Sequence, residues 1–137
     1  GALNLPADGL VVGTNQLVVS GGNVGIGTTT PSAKLEVSGQ IISKGYDNAS
    51  STSFDMQNGN VQYTTANCGA ITLSNMVDGG IYTLVVKGGT SGTCTFTYAG
   101  MIFHYPSDHG PTTASTHTIY TFLRAGTDVY IAWKNGV

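Results

Sequence analysis

The chain has 137 residues, enough for one ordinary domain or one small domain with an appendage. Only 9% of them are charged, against a usual share of about 25%, and the net charge is −2. Four lysines and one arginine are scattered along the chain. They form no basic stripe, which argues against nucleic acid and against anionic membranes as partners. No apolar run approaches the ~20 residues of a membrane span, so membrane insertion is not expected.

Gly (20) and Thr (19) are abundant, and there is a single Glu. Val, Ile and Tyr are frequent, and no segment carries helix formers at helical spacing. This favours short strands and turns, and an all-β fold is predicted. The first residue is Gly1 rather than Met, as in a fragment or a processed chain.

Up to about residue 45 the chain consists of apolar dashes separated by glycine and polar turns. They are Leu10-Val11-Val12, Leu17-Val18-Val19, Val24-Gly25-Ile26, Leu35-Glu36-Val37 and Ile41-Ile42. LVVSG at 17–21 returns as LEVSG at 35–39, a weak repeat of β pieces. A segment this short rarely folds unaided. Burial against copies of itself around a three-fold axis solves the problem, so residues 1–45 are expected to be a trimeric shaft. A disordered linker is the alternative.

Residues 46–62 are polar and turn-rich and read as a connection or as an irregular first part of the next unit, which Tyr46, Phe54, Met56 and Val61 could tack to a core. Asn48-Ala49-Ser50 is a formal glycosylation sequon. Beyond it, strands are predicted at 61–65, 70–73, 81–86, 94–98, 101–105, 118–123 and 129–133. Glycine-containing turns lie between several of them. Short strands at this spacing suggest a β-sandwich, assigned with its lead-in to residues 46–137. Alternation puts Phe96 and Tyr98 on one face, sets Ile119 opposite Tyr120 and Phe122, and aligns Val129, Ile131 and Trp133.

Cys68 and Cys94 are the only cysteines. Two soft ligands do not make a metal site. In an exported chain a disulfide is the simplest expectation; two buried free thiols are the alternative. Gly25-Ile26-Gly27 is half of a dinucleotide fingerprint, but Pro31 follows and no helix does, so phosphate binding is rejected. The carboxylates Asp78 and Asp128 sit in turn contexts beside glycine. No GxSxG occurs, and no catalytic constellation stands out. His104, His109 and His117 could be triplicated around an axis, yet their spacing matches no usual ligand set, and no metal or cofactor is expected.

Phe103 to Pro111 is the densest functional stretch. Phe103, His104, Tyr105, Asp108 and His109 combine ring faces for sugar C–H surfaces with hydrogen-bonding groups for hydroxyls, between prolines that limit loop entropy. They are the candidate ligand-binding residues. The same stretch also fits a strand with Phe103 and Tyr105 facing a core, followed by an ordinary turn.

Asn23 to Gly39, NVGIGTTTPSAKLEVSG, resembles the NVGIGTxxPxxxLxVxG segment of phage tail fibres and related bacterial fibre proteins. There it lies in the shaft just before a distal domain. Asp78-Gly79-Gly80-Ile81-Tyr82-Thr83-Leu84, Gly92-Thr93-Cys94-Thr95-Phe96 and Val129-Tyr130-Ile131-Ala132-Trp133 are similar to head domains of tail-fibre-like trimeric adhesins, including those of predatory bacteria. The resemblance implies an intertwined homotrimer on an extracellular fibre or virion tail. Its tip would bind a cell-surface polysaccharide or other glycan on a target cell, without catalysis. A purely structural trimerisation module is the alternative.

Overall fold

The computed structural model describes residues 16–137. The dash Leu10-Val11-Val12 lies outside the described residues. The chain divides into two units between Ile42 and Ser43, close to the change in composition. The described part is built from strands and one turn of 3-10 helix, so the all-β expectation holds.

In the first unit β1 (Leu17–Ser20), β2 (Asn23–Ile26) and β3 (Leu35–Val37) form one sheet in that order. β1 and β2 make a hairpin through Gly21 and Gly22, both at positive φ (59° and 79°), as a type I′ turn requires. β3 pairs with β2 in parallel, Val24 opposite Leu35. The repeated LVVSG and LEVSG pieces are thus the two outer strands around a shared centre.

The motif glycines have a steric cause. A Cβ on Gly25 would lie 2.6 Å from the Thr28 carbonyl oxygen, and Gly27 sits at φ 74°. The loop between β2 and β3 closes on itself. Asn23 Nδ2 donates to the Pro31 carbonyl (3.0 Å), and the Glu36 carboxylate accepts from Ser32 N and Oγ (both 2.7 Å). Those two donors hold the Glu36 carboxyl below its usual range, the backbone N–H contributing most. Apolar side chains are nevertheless left in solvent: Ile41 and Ile42 are 80% and 83% exposed.

The second unit holds β4 (Gly45–Asp47), β5 (Ser53–Asp55), β6 (Val61–Thr64), β7 (Ala70–Ser74), β8 (Ile81–Val86), β9 (Thr95–Thr97), β10 (Ile102–His104), β11 (Thr118–Ala125) and β12 (Asp128–Asn135). They form a six-stranded sheet, β10-β12-β11-β8-β6-β4, and a three-stranded sheet, β5-β7-β9. From β4 to β10 the chain visits the two sheets alternately. Pairing along this stretch is parallel within each sheet: β4 with β6, β6 with β8, β5 with β7, β7 with β9. Parallel neighbours need a crossover of a dozen or more residues, usually a helix. Here the strand of the other sheet supplies it, and the chain winds as a short coil.

β11 and β12 close the six-stranded sheet as an antiparallel hairpin. Its two-residue loop is Gly126-Thr127, with Gly126 at φ 63°, the position that a type II′ turn reserves for glycine. β11 pairs with β8, and β12 pairs in parallel with β10.

Both sheets feed one buried cluster. Phe54, Ile71, Leu73 and Phe96 come from the smaller sheet, and Tyr82, Leu84, Tyr120, Phe122, Val129 and Ile131 from the larger. Phe96 is central, edge-on to Tyr120 (4.9 Å) and Phe122 (4.8 Å). Each such aromatic pair adds about 0.5–1.5 kcal/mol beyond area burial.

The polar stretch 46–62 is built into the fold. Gln62 is fully buried on β6. Its Nε2 donates to the carbonyls of Asp55 (2.6 Å) and Gly59 (3.0 Å), and its Oε1 accepts from Asn48 Nδ2 (2.9 Å). The sequon asparagine is therefore occupied in tying its own loop to the strand beside it. Thr64 Oγ1, equally buried, donates toward the carbonyls of Ala49 and Ser51 (2.9 Å each) and accepts from Ala66 N (3.0 Å).

Cys68 and Cys94 form a disulfide, 26 residues apart. It ties the approach to β7 to the approach to β9, one winding to the next, and Cys94 is fully buried. Closing a loop of that length stabilises by about 3 kcal/mol through chain entropy. The Cys68→Ala/Cys94→Ala double variant should melt roughly 12–24 °C lower in calorimetry, given about 4–8 °C per kcal/mol for a domain of this size. A shift below about 4 °C would show that the coil holds without the bridge. Gln62→Leu should cost on the order of 2–3 kcal/mol in urea denaturation, because two carbonyls and one amide lose a buried partner. A loss under about 0.5 kcal/mol would mean that those groups find other partners.

Candidate ligand-binding site

The stretch from Phe103 to Pro111 begins on an edge strand, and strand parity decides where its side chains go. On β10, Phe103 turns inward and packs on the core, its ring stacked with Phe96 at 6.5 Å. Ile102 and His104 turn outward. His104 Nε2 lies 2.6 Å from Asp128 Oδ1, and its ring stacks on Tyr130 at 4.8 Å. The five predicted residues are therefore not one site. His104 belongs to the outer face of the six-stranded sheet, and Phe103 belongs to the core side.

Tyr105, Asp108 and His109 do come together. Tyr105 leaves the strand, and its hydroxyl accepts from Phe96 N at 2.7 Å, which fixes the ring while leaving it 38% exposed. A turn follows, closed by His109 N donating to the Pro106 carbonyl at 3.0 Å. The turn carries His109 back against Tyr105 (ring centroids 4.7 Å apart) and Trp133 (5.0 Å, edge-on). Asp108 stays exposed at the turn, its Oδ1 3.4 Å from the Trp133 indole N–H. Beyond the loop, Thr112 accepts from Gly92 N at 3.2 Å and anchors the returning chain.

Two features give this cluster chemical character. His109 Nε2 is buried with no hydrogen-bond partner among the described residues. An uncompensated buried polar atom typically costs about 1–3 kcal/mol. Burial also pulls the His109 imidazole below the usual histidine range, opposed in part by the neighbouring Asp108 carboxylate. Beneath it the Tyr120 phenol is pushed up to about 12, first by burial and then by Tyr105. At neutral pH the cluster thus offers a neutral imidazole and an exposed carboxylate framed by tyrosine and tryptophan rings.

Trp133 enters these surroundings although the sequence assigns it to the core. Trp133 does both, stacking on buried Tyr120 at 6.0 Å while facing His109. Nothing in the sequence places β12 beside β10, and that adjacency brings Trp133 to the loop.

The remaining candidates are tied down locally. Asp78 Oδ1 accepts from Gly126 N (2.6 Å), in the turn between β11 and β12. Asp128 instead faces His104. His117 lies where the backbones of His117 and Val137 pair. Among the described residues no group of three or more His, Cys, Asp or Glu could hold a metal ion.

Compared with known proteins, the chain matches no family model, no curated protein and no solved structure.

The depressed His109 gives a signed pH dependence. The unfolded imidazole titrates near 6.5 and the folded one lower, so the unfolded state binds the extra proton first. Stability from this group is fully present above pH 6.5 and is lost as pH falls through the folded value. Urea midpoints should therefore decline between pH 7.5 and pH 5.5, and His109→Gln should flatten that decline. An unchanged slope in the variant would assign the dependence elsewhere.

Proposed function

We propose that this chain is the tip of an extracellular homotrimeric fibre that binds a cell-surface glycan through the Tyr105–Asp108–His109–Trp133 cluster. The observation that carries the proposal is the exposed Asp108 carboxylate at the rim of the part-exposed Tyr105, His109 and Trp133 rings. Sugars present apolar C–H faces, which stack on rings, and hydroxyls, which donate to a carboxylate. In this proposal residues 1–45 act as shaft. Residues 46–137 act as a sandwich-type head intertwined with two others, and the role is binding without catalysis.

Three further observations are compatible with that setting. Ile41, Ile42 and Leu35 are exposed on the single chain, as expected of side chains that other chains cover. The disulfide suits an oxidising compartment. No helix among the described residues is long and apolar enough to cross a membrane. A structural trimerisation module without a ligand is the second reading, favoured by the same exposed apolar residues.

Asp108→Asn is the cleanest probe. His109 is packed against two rings and Tyr105 holds the Phe96 amide, so changing either disturbs the fold as well as the site. On a glycan array and on extracted envelope polysaccharide, the parent chain should bind. The variant should bind at least about tenfold more weakly, a loss of about 1.4 kcal/mol. Its melting temperature should be unchanged, as for most exposed substitutions. Equal binding by parent and variant would remove Asp108 from the site. A parent that binds no glycan would favour the structural module.

A further inference from the structure

The outer face of the six-stranded sheet is unlike a solvent face. A sheet with one wet side alternates apolar-in and polar-out, whereas strands covered on both sides read as near-continuous apolar runs. β8 (IYTLVV), β11 (TIYTFLRA) and β12 (DVYIAWKN) are of the second kind. Their inward residues fill the core described above. Outward, Ile81, Leu123 and Tyr130 are 58%, 43% and 48% exposed.

Strand register makes these residues one surface. Ile81 lies opposite Leu123, and Leu123 opposite Tyr130. Two residues along, the smaller Thr83, Thr121 and Ala132 form the next row. Two further on, Val85 is opposite Ile119 and Ile119 opposite Lys134. The small middle row leaves an open hollow of about 190 Å³ between β11 and β12, bordered by Ile119, Thr121, Ala132, Trp133 and Lys134. With strands about 4.8 Å apart and about 3.3 Å per residue, the face covers on the order of 400 Å² in plan. That is within the range of the largest apolar patches on monomers, which are often functional.

The charges at its margin identify the occupant. The row through Ile119 and Val85 continues through Tyr63 to Asp47 on β4. One row therefore carries Lys134 at one end, Ile119 and Val85 in the middle, and at the other end Asp47 beside Tyr63, whose ring lies under the Lys87 ammonium at 4.1 Å. Among the described residues Lys134 has no ion pair, and Asp47 uses only Oδ1, toward Ala49 N at 2.8 Å. A lipid surface would call for a margin of basic residues alone, whereas Asp47 and Asp128 stand at this one beside Lys134 and Lys87. A row with opposite charges at its ends is complementary to itself. A copy turned about an axis parallel to the strands sets its Asp47 against Lys134 of its neighbour, and a three-fold arrangement repeats that contact three times in a closed ring.

We infer that this face is the surface through which copies of the chain associate, with Ile119, Val85, Leu123 and Ile81 at its centre and a Lys134–Asp47 pair between neighbouring copies. The inference rests on the homo-oligomer of the proposed function and names the surface that forms it. The hollow beside Ile119 takes a side chain of the next copy.

Light scattering on the full chain at micromolar concentration tests it. The parent should give three times the 14.1 kDa chain mass. Ile119→Lys should give the monomer mass with an unchanged far-ultraviolet circular dichroism spectrum. Lys134→Glu and Asp47→Lys should each raise the dissociation concentration roughly threefold to tenfold, by replacing attraction with repulsion. The combined charge swap should restore the parent value. Should Ile119→Lys fail to fold, the charge swap alone decides, since both residues lie in solvent on the single chain. An oligomer that withstands all these substitutions overturns the face and leaves the oligomer standing. Single reversals that weaken assembly without rescue in the double variant overturn the Lys134–Asp47 contact. A monomeric parent overturns both the face and the oligomer, while glycan binding through Asp108 would still be read independently.

Discussion

The second unit depends on one constraint: strands that follow each other in the chain do not pair with each other until the final hairpin. From β4 to β10 each strand hands the chain to the opposite sheet, and hydrogen bonds form between alternate strands. Three-residue strands such as β4 and β5 would have little standing alone. They persist because the windings on either side hold both sheets at once. The interior groups that make the crossings possible are polar as well as apolar. Gln62 and Thr64 take up the carbonyls of the loop from Asn48 to Gly59, which would otherwise be stranded beside the core.

The same winding sets the geometry of the Tyr105–His109–Trp133 cluster. β10 reaches the edge of the larger sheet only because β9 sits in the smaller one, and the following loop is thrown across the end of β12. Trp133 thus meets His109 through topology, although 24 residues separate them in the chain. The core and the cluster share Tyr120, which touches Phe96 on one side and lies near His109 and Trp133 on the other. A ring fixed in the core supports a ring that faces the loop, so the cluster inherits its rigidity from packing.

Strand positions were readable because two-residue alternation and glycine turns are local signals. The inward faces of β9, β11 and β12 follow from Phe96, from Tyr120 with Phe122, and from Val129 with Ile131, as parity requires. Parallel winding was not readable. Short strands joined by polar loops look alike whether they pair with the next strand or the one after. Residues 46–62 could be read either as a connection or as an irregular start of the head, because the strands at 45–47 and 53–55 carry few apolar residues and their partners are distant in sequence; Phe54 and Met56, the residues that could tack it to a core, are in the core. The candidate site was partly readable. Tyr105, Asp108 and His109 converge because a turn is a local structure. His104 was grouped with them by proximity in sequence, and the pleat sends it to the other side of the sheet.

The closing hairpin has a consequence for biosynthesis. β11 and β12 supply Tyr120, Phe122, Val129 and Ile131 to the buried cluster and give β8 and β10 their missing neighbours. Until the ribosome has made and released the chain through Asn135, the earlier windings have one unpaired border and an open core. Folding is therefore a late event dominated by pairings distant in sequence, which are intrinsically slow to form. In the interval the Val-, Ile- and Tyr-rich strands are exposed together, a state prone to premature association with other nascent chains.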